Sequence, residues 1–260
     1  MQTSARVVII GGGIMGASLL YHLAELGWTD CLLIEKDELT SGSTWHAAGQ
    51  CPNITGSFNL AKMHAYSNQL YPKLEGLTGQ YVSWHTSGGI RLATNERELA
   101  WMRYIEGFSK IIGFDMEIIP PEEILRHNPF MTLDGVIAGA RTTEDGHADP
   151  SGICNALAIG AKNMGAKIVR KNRVTGLTQL PNGEWDVETE KGTVRAEIVV
   201  NAAGCYARQI AQMAGIDIPV TNMEHHYVVT DPIPAFKDRE EEIPVMRCPH
   251  VSGYFRQEQK

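Results

Sequence analysis

The chain has 260 residues, of which 43% are hydrophobic, and it carries a formal net charge of −7 at pH 7. A chain of this length can bury one sizeable core or two smaller ones. The acidic balance argues against a nucleic-acid-binding surface, because phosphate binding needs clustered lysine and arginine. The sequence contains no run of about twenty apolar residues, so we predict no membrane span.

The N-terminus and the cysteines indicate a reduced, cytoplasmic protein. Residues 1–6, which precede the first apolar run, are too short for a signal peptide. The five cysteines are an odd number, widely scattered, and include no C-x-x-C pair. This pattern predicts neither a disulfide framework nor a zinc site, and the histidines show no metal-ligand spacing. We therefore predict no metal centre.

In chain order, the first elements predict a βαβ unit. Residues 7–10 form a buried strand, residues 14–26 a helix with apolar positions at helical spacing, and residues 31–35 a second strand. A polar stretch rich in glycine, serine and threonine follows at 40–56, and it is typical of a ligand-binding loop. Another helix is expected over about residues 59–75.

The middle of the chain predicts a different region, after which the α/β pattern returns. The further expected elements are strands at 82–94, 135–140, 167–170 and 197–200, helices at 96–112, 120–126 and 150–164, and a hairpin at 176–195 that turns at 181–183. Residues 250–256 have the pattern of a strand beginning shortly before the last residue. We therefore expect a product that is truncated at its C-terminus.

The first motif with chemical content is the glycine-rich turn after the first strand. Gly11, Gly13 and Gly16 form the pattern G-x-G-x-x-G. The first glycine allows a tight turn, the second lets a pyrophosphate approach the backbone, and the third lets the helix pack close to the strand. The helix N-terminus, with Ile14 and Met15, offers N–H groups to the phosphate.

A carboxylate at the end of the second strand completes this fingerprint. Glu35 can accept hydrogen bonds from an adenosine ribose and repels a 2′-phosphate, so the sequence favours FAD or NAD over NADP. We include Lys36 and Val174 among the candidate cofactor-binding residues.

The loop at residues 40–49 distinguishes FAD from NAD. The hydroxyls of Ser43 and Thr44 can hold pyrophosphate and ribityl oxygens, and small residues such as Gly49 leave room for a flat ring. A plain NAD-binding protein has no need for such a loop at this position, so the loop favours FAD.

A third motif lies at residues 198–204, where a strand ends in small residues and a helix opens at 206 or 207. Ala203 and Gly204 are predicted at a βα junction of the same sheet, where the backbone passes near the cofactor. The alternative is a glycine that serves only the turn.

These motifs together resemble the FAD-dependent D-amino-acid oxidase superfamily, and within it the dimethylglycine and sarcosine dehydrogenase family. The segments that carry the resemblance are 41–49 (S-G-S-T-W-H-A-A-G), 87–93, 145–150 and 225–230. The resemblance covers essentially the whole chain. It implies an α/β fold in which a Rossmann-like FAD-binding domain contains an inserted α+β substrate domain. The implied division is 1–80 with 146–220 for FAD, and 81–145 with 221–260 for the substrate.

The resemblance also implies roles for three residues. The family's loop histidine is joined covalently to the 8α-methyl group of the flavin, and this carries over to His46; the alternative is a histidine that only packs beside non-covalent FAD. His225 and Tyr254 are implied near the substrate as catalytic residues. A histidine with a pKa near neutral can favour an uncharged substrate nitrogen, and a tyrosine hydroxyl can fix a carboxylate or assist proton transfer.

The function implied by the resemblance is oxidative N-demethylation of a small N-methylated amino acid by hydride transfer to FAD. Tetrahydrofolate, through a domain not found in this sequence, and an electron-transfer flavoprotein are the implied partners. Three alternatives stay open: a D-amino-acid or hydroxy-acid oxidase of the same superfamily, an NAD-dependent dehydrogenase, and an FAD-binding fragment without activity.

Overall fold

The computed structural model describes residues 2–237 and 239–258. The helices are α1 (Ile14–Glu25), α2 (Phe58–Thr78), α3 (Glu96–Ile112), α4 (Pro121–His127), α5 (Pro150–Asn163) and α6 (Ala207–Met213). The strands are β1 (Ser4–Ile10), β2 (Cys31–Ile34), β3 (Gln50–Cys51), β4 (Gly89–Ala93), β5 (Met116–Ile119), β6 (Ala138–Thr142), β7 (Gly146–His147), β8 (Lys167–Val169), β9 (Val174–Gln179), β10 (Trp185–Thr189), β11 (Gly192–Asn201), β12 (Val245–Cys248) and β13 (Gly253–Phe255). Short 3₁₀ helices lie at Gly204–Tyr206 and Pro234–Phe236.

The described chain divides into two units. The first contains the residues up to 48 together with 73–82 and 149–225, and the second contains 49–72, 83–148 and the residues from 226 onward. Residues 49–72, which the sequence division assigned to the FAD-binding part, lie in the second unit. Which unit binds which ligand stays a prediction.

The first unit is built on a six-stranded sheet with the order β8-β2-β1-β11-β10-β9. The strands β8, β2, β1 and β11 run parallel, and β10 and β9 extend the sheet in antiparallel fashion. Val7–Ile10 of β1 and all of β2 are buried, which is typical of parallel strands covered on both faces. Helix α1 lies between β1 and β2 in sequence and packs against α5. The predicted α/β, Rossmann-like fold of this unit is therefore confirmed.

The hairpin expected at 176–195 is part of a three-stranded meander. Strand β10 pairs with β9 on one side and with β11 on the other. Gly192, with φ of +116°, reverses the chain, and β11 then continues without a break to Asn201. The separate buried strand expected at 197–200 is therefore wrong: these residues belong to β11, and Ile198 is 43% exposed.

The second unit contains a five-stranded sheet with the order β13-β12-β4-β6-β5 and a two-stranded sheet of β3 and β7. Helix α3 covers one face of the larger sheet, where its Met102 and Ile105 pack against Ala93. The opposite face packs against α4 through Ile124. The strand expected over 82–94 spans only Gly89–Ala93. Gly88, with φ of +73°, interrupts the extended backbone just before residue 89, so the strand starts there.

Two observations on the described residues bear on the setting of the protein. No helix among them is long and apolar enough to cross a membrane. All five cysteines, which lie within the described ranges, are free thiols.

A buried carboxyl group lies in the second unit. Asp145 is 3% exposed, and its Oδ1 accepts a hydrogen bond of 2.8 Å from the backbone N–H of Asn53. Burial raises the pKa of Asp145 to about 6, although hydrogen bonds from Thr142 and Asn53 act in the opposite direction. Between about pH 4 and 6 the folded state therefore holds a proton that the unfolded state has released.

The substitution Asp145→Asn is expected to change how stability depends on pH. The proton held by the wild type stabilises its folded state at pH 4.5, and this contribution is lost as the pH rises through about 6. From pH 4.5 to 7.5 the free energy of unfolding of the variant should therefore gain about 2 kcal/mol relative to the wild type. Urea unfolding at the two pH values measures this, with the exposed Asp115→Asn as the control for charge removal. Parallel pH profiles of wild type and Asp145→Asn would contradict the assignment.

Candidate functional site

The glycine-rich turn between β1 and α1 leaves no room for side chains. Gly11 has φ of +118°, and a Cβ atom there would lie 2.4 Å from the carbonyl oxygen of Ala202 and 3.1 Å from Cα of Ala203. A Cβ atom on Gly16 would lie 2.0 Å from the carbonyl oxygen of Gly11. The close approach of helix to strand predicted for Gly16 is therefore present. The backbone of Ala202 and Ala203, just after β11, lies directly beside the turn.

The start of α1 is suited to bind an anion. A Cβ atom on Gly13 would meet only the Oγ1 of Thr44, at 3.0 Å, and the backbone N–H of Ile14 donates to the same hydroxyl at 3.0 Å. No acidic side chain lies in the first turn of the helix. The positive end of the helix dipole is therefore not compensated by the helix itself. Because the Thr44 hydroxyl accepts the hydrogen bond from Ile14, its own hydrogen can be donated to a ligand. Met15 beside it is 71% exposed.

Glu35 connects the turn to the end of β2. Its side chain is buried, its Oε2 accepts a 2.6 Å hydrogen bond from the N–H of Gly12, and its Oε1 accepts a 2.8 Å bond from the N–H of Asp37. Each carboxylate oxygen can accept a second hydrogen bond. Glu35 can therefore accept ribose hydroxyls while it holds the turn in place.

Three predicted segments meet around the junction after β11. Gly204 has φ of +54°, and no other atom lies within 4 Å of the position of a Cβ atom there. The Nζ of Lys36 lies 4.0 Å from the ring centroid of Tyr206, and the Oγ of Ser43 lies 3.3 Å from the Sγ of Cys205. Lys36 just after β2, the following loop with Ser43, and the 3₁₀ helix after β11 thus line one region of the first unit.

His46 is exposed on the loop that Thr44 anchors at α1. Its ring centroid lies 3.6 Å from that of Trp45, with the two planes tilted by 34°, and Trp45 is 53% exposed. The imidazole is therefore accessible from solvent. Together with the open cradle at Gly13, this arrangement fits an adenine dinucleotide with an attached flat ring.

Four further residues predicted to bind the cofactor or the substrate lie outside the glycine-rich turn. The Val174 side chain is 5% exposed within the core of the first unit, so only its main chain can reach a ligand. Gly49 begins the second unit, where its carbonyl accepts from the N–H of Ala148. His225 lies in the first unit, within the exposed segment 219–233 that forms neither helix nor strand. Tyr254 lies in β13 of the second unit and is 36% exposed.

Sequence reasoning missed a cluster of ionisable side chains in the second unit. The Nδ1 of His85 lies 2.9 Å from one oxygen of Glu242, and the Nε2 of His147 lies 2.5 Å from the other. The imidazole rings stack at 4.7 Å. Burial alone raises the pKa of Glu242, but the hydrogen bonds from His147 and His85 outweigh it and leave this pKa lowered. The three residues come from distant segments, so no spacing in the sequence indicates them.

This His85–His147–Glu242 cluster has the composition of a metal site, but its hydrogen bonds favour a different role. The Nδ1 of His147 lies 3.2 Å from Nη1 of Arg256, and a guanidinium can only donate. Nδ1 is therefore the acceptor, and Nε2 carries the hydrogen that is shared with Glu242. A metal ion at Nε2 would need the hydrogen on Nδ1, facing a donor. The cluster thus joins β7 to the segments that carry Glu242 and Arg256.

Comparisons with known proteins agree with this geometry. The family described as FAD dependent oxidoreductase matches residues 6–260. Dimethylglycine dehydrogenase, mitochondrial, from Rattus norvegicus is 44% identical over 254 residues, which are 98% of this chain and 30% of that protein. Sarcosine dehydrogenase, mitochondrial, from Mus musculus is 33% identical over 263 residues, covering 98% of this chain and 28% of that protein.

Solved structures give the same result for the fold. The crystal structure of L-proline dehydrogenase from P. horikoshii superposes with a TM-score of 0.85 and 27% sequence identity, covering 99% of this chain and 68% of that one. The chain therefore has the fold of an FAD-binding oxidoreductase. It spans about 30% of the length of the rat protein.

Proposed function

Because the chain belongs to the FAD-dependent oxidoreductase family, we propose that it is part of an enzyme that oxidatively removes an N-methyl group from a small amino acid. The observation that carries this proposal is the similarity, along almost the whole chain, to two dehydrogenases named for dimethylglycine and sarcosine. Both compounds are N-methylated glycines. The chemical class of the substrate is therefore a secondary or tertiary amine that also carries a carboxylate.

FAD, when bound, accepts a hydride from the N-methyl carbon. The N-terminal turn of α1, opened by Gly13, is suited to the pyrophosphate, and Glu35 to the adenosine ribose. Ser43 and Thr44 supply hydroxyls on the loop that leads to His46. The role of these residues is to position the cofactor. The cofactor changes its oxidation state in the reaction, and these side chains do not.

His225 and Tyr254 act on the substrate in this proposal. The N-methyl carbon loses a hydride most readily when the nitrogen is uncharged, because the nitrogen lone pair stabilises the positive charge that develops. His225 accepts the proton that the substrate ammonium must lose. The hydroxyl of Tyr254 hydrogen-bonds the substrate carboxylate and so directs the methyl group.

We also propose that His46 is bonded through an imidazole nitrogen to the 8α carbon of the flavin. The exposure of this imidazole supports the proposal. Forming the bond would remove one hydrogen from the methyl group and one from the imidazole, with molecular oxygen as the acceptor of the two electrons. The link would withdraw electron density from the ring and make it a stronger oxidant.

The remaining parts of the proposal rest on the resemblance alone. Water or tetrahydrofolate takes the one-carbon unit, and an electron-transfer flavoprotein takes the electrons. A cytoplasmic location stays a prediction that the scattered cysteines support, while the names of both relatives specify mitochondria.

Anaerobic mixing of the FAD-loaded chain with candidate substrates tests the function. Dimethylglycine and sarcosine are expected to bleach the visible absorbance of the flavin and to yield formaldehyde. Bleaching by D-alanine or glycolate alone would overturn the proposal in favour of the related oxidases. FAD binding without bleaching by any of the four compounds would identify the chain as a cofactor-binding part without activity.

A further inference from the structure

Strand β13, which carries Tyr254, has little support of its own. It is three residues long and lies at the edge of the five-stranded sheet, where it pairs with β12. In β12, Arg247 is the register neighbour of Tyr254 on one side and of Arg91 in β4 on the other. A short hairpin is only marginally stable without further contacts. The position of Tyr254 therefore depends on what holds the two ends of the β12–β13 hairpin, residues 245–255.

The two ends of this hairpin meet at one buried imidazole. Glu242 lies three residues before Val245, the first residue of β12, and one of its oxygens lies 2.5 Å from the Nε2 of His147. Arg256 directly follows β13, and its Nη1 lies 3.2 Å from the Nδ1 of the same ring. The side chain of His147 is only 4% exposed. A single imidazole of β7 thus contacts both the segment that enters the hairpin and the segment that leaves it.

Further hydrogen bonds hold the same two segments. The Nε2 of Gln50 donates to the carbonyl oxygen of Phe255 at 3.1 Å, and Gln50 is the register neighbour of His147 in the sheet of β3 and β7. The backbone N–H of Ile243 donates to the Oε1 of Gln257, a buried side chain, at 3.4 Å. The hairpin is therefore tied to the β3–β7 sheet, and its two flanks are joined to each other.

The charge of Glu242 sets the proton positions at this junction. Although burial raises the pKa of Glu242, the hydrogen bonds from His147 and His85 lower it overall, so the group is a carboxylate at neutral pH. A carboxylate can only accept, so the Nε2 of His147 donates to it, and the Nδ1 is left to accept from Arg256. Glu242 therefore imposes the tautomer of His147 that binds Arg256.

The contact between Arg256 and His147 is not needed to neutralise the guanidinium. Arg256 also donates to the carbonyl oxygen of Gln257 at 3.2 Å and forms an ion pair with Glu258. Its charge thus has an acidic partner close by in the chain. A neutral imidazole nitrogen adds direction instead, because it accepts a hydrogen bond along one line in the plane of the ring. The contact with His147 therefore fixes where the end of the hairpin lies.

We propose that Glu242 is a positioning residue for Tyr254: through His147 and Arg256 it fixes the β12–β13 hairpin and so holds the phenol in place for the substrate. Glu242 does not contact the substrate itself. The inference rests on the proposed function, which makes Tyr254 the group that binds the substrate carboxylate.

Hydrogen exchange of the FAD-loaded chain measures the hold on the hairpin without any substrate. In Glu242→Gln the amide keeps one accepting oxygen, so one of the two imidazoles loses its acceptor. The backbone N–H groups of residues 253–256 are expected to exchange about tenfold faster than in the wild type, while those of β1 keep their wild-type rates. Glu241→Gln is the matched control, because this neighbouring side chain is exposed, and it should change exchange by less than about twofold.

Arg256→Met tests the same junction from its other side. The substitution removes the donor to Nδ1 of His147 and keeps a long, flexible side chain. It should accelerate exchange of the same N–H groups by about tenfold. Because both substitutions break contacts to one imidazole, Glu242→Gln combined with Arg256→Met should exchange less than about threefold faster than either variant alone.

Steady-state kinetics with dimethylglycine show whether the effect passes through Tyr254. Glu242→Gln should raise KM by about tenfold and change kcat by less than about twofold, because the phenol binds the carboxylate and not the reacting methyl group. In a Tyr254→Phe background the hydroxyl is already missing. The same substitution should then change KM by less than about twofold.

The outcomes distinguish this proposal from the proposed function. Unchanged exchange at residues 253–256 in both Glu242→Gln and Arg256→Met overturns the positioning role, even where dimethylglycine reduces the flavin of the wild type. Effects of Glu242→Gln and Tyr254→Phe on KM that simply multiply overturn it as well, because Glu242 then acts by another route. Faster exchange confined to the hairpin supports the role, even where no substrate reduces the flavin and the proposed function falls.

Discussion

Gly16→Ala is expected to abolish tight FAD binding and to destabilise the first unit. A Cβ atom at this position lies 2.0 Å from the carbonyl oxygen of Gly11, which is backbone and cannot rotate away. The helix must therefore move from the strand, at a cost of about 3 kcal/mol. The same movement displaces the N–H groups that face the pyrophosphate, so FAD affinity should fall by roughly 100-fold, the equivalent of about 2.7 kcal/mol.

A matched substitution tests whether the effect is local. Gly107→Ala lies inside α3, where no atom is within 4 Å of the new Cβ, and it should stabilise the helix by up to about 1 kcal/mol. Flavin titration and urea unfolding of both variants provide the measurement. Wild-type affinity in Gly16→Ala would show that the close approach of helix and strand is not needed for the cofactor.

Glu35→Gln is expected to weaken both the turn and the binding of FAD. Glu35 accepts from the N–H groups of Gly12 and Asp37 with different oxygens, and the amide retains only one oxygen. One of the two backbone N–H groups then faces the NH₂ group of the amide and loses its acceptor. Because hydrogen bonds to charged acceptors contribute about 1.5–3 kcal/mol, we expect a loss of about 2 kcal/mol in the free energy of unfolding. FAD affinity should fall by at least about tenfold, since the ribose loses a charged acceptor.

Glu38→Gln is the control for this substitution. Glu38 is three residues away, and its side chain is 50% exposed in ion pairs with Arg170 and Lys171. Exposed ion pairs contribute at most about 1 kcal/mol, so little change is expected. The same flavin titration and unfolding measurements apply. Equal effects of Glu35→Gln and Glu38→Gln would contradict a specific role for Glu35.

Local patterns in the sequence predicted much of the first unit. The strand, glycine turn and helix around Gly11 depend on neighbouring residues, so periodicity and glycine spacing suffice to indicate them. The same holds for α3, which begins after the N-cap Asn95 and ends before the C-cap Gly113, whose φ is +95°. Its predicted bounds, 96–112, agree with the structure because both ends carry capping residues.

The features that depend on strand register could not be predicted. The register pairs Arg91–Arg247 and Arg247–Tyr254 exist only because β12 pairs with both β4 and β13, and residues 91 and 247 are far apart in the chain. The His85–His147–Glu242 cluster is non-local for the same reason. Ile198 was expected in a buried strand because its segment is apolar, but apolar composition does not specify which strand face is covered.

Intact-mass measurement of the acid-denatured protein tests the central claim most directly. The claim is that a flavin dinucleotide bound at the turn after β1 reaches the exposed imidazole of His46. The wild type, purified with FAD, should keep a mass increase equal to one FAD after denaturation. His46→Ala should bind FAD in the native state and lose it completely on denaturation. A wild type that releases all of its flavin, or a His46→Ala variant that retains the added mass, would contradict the account.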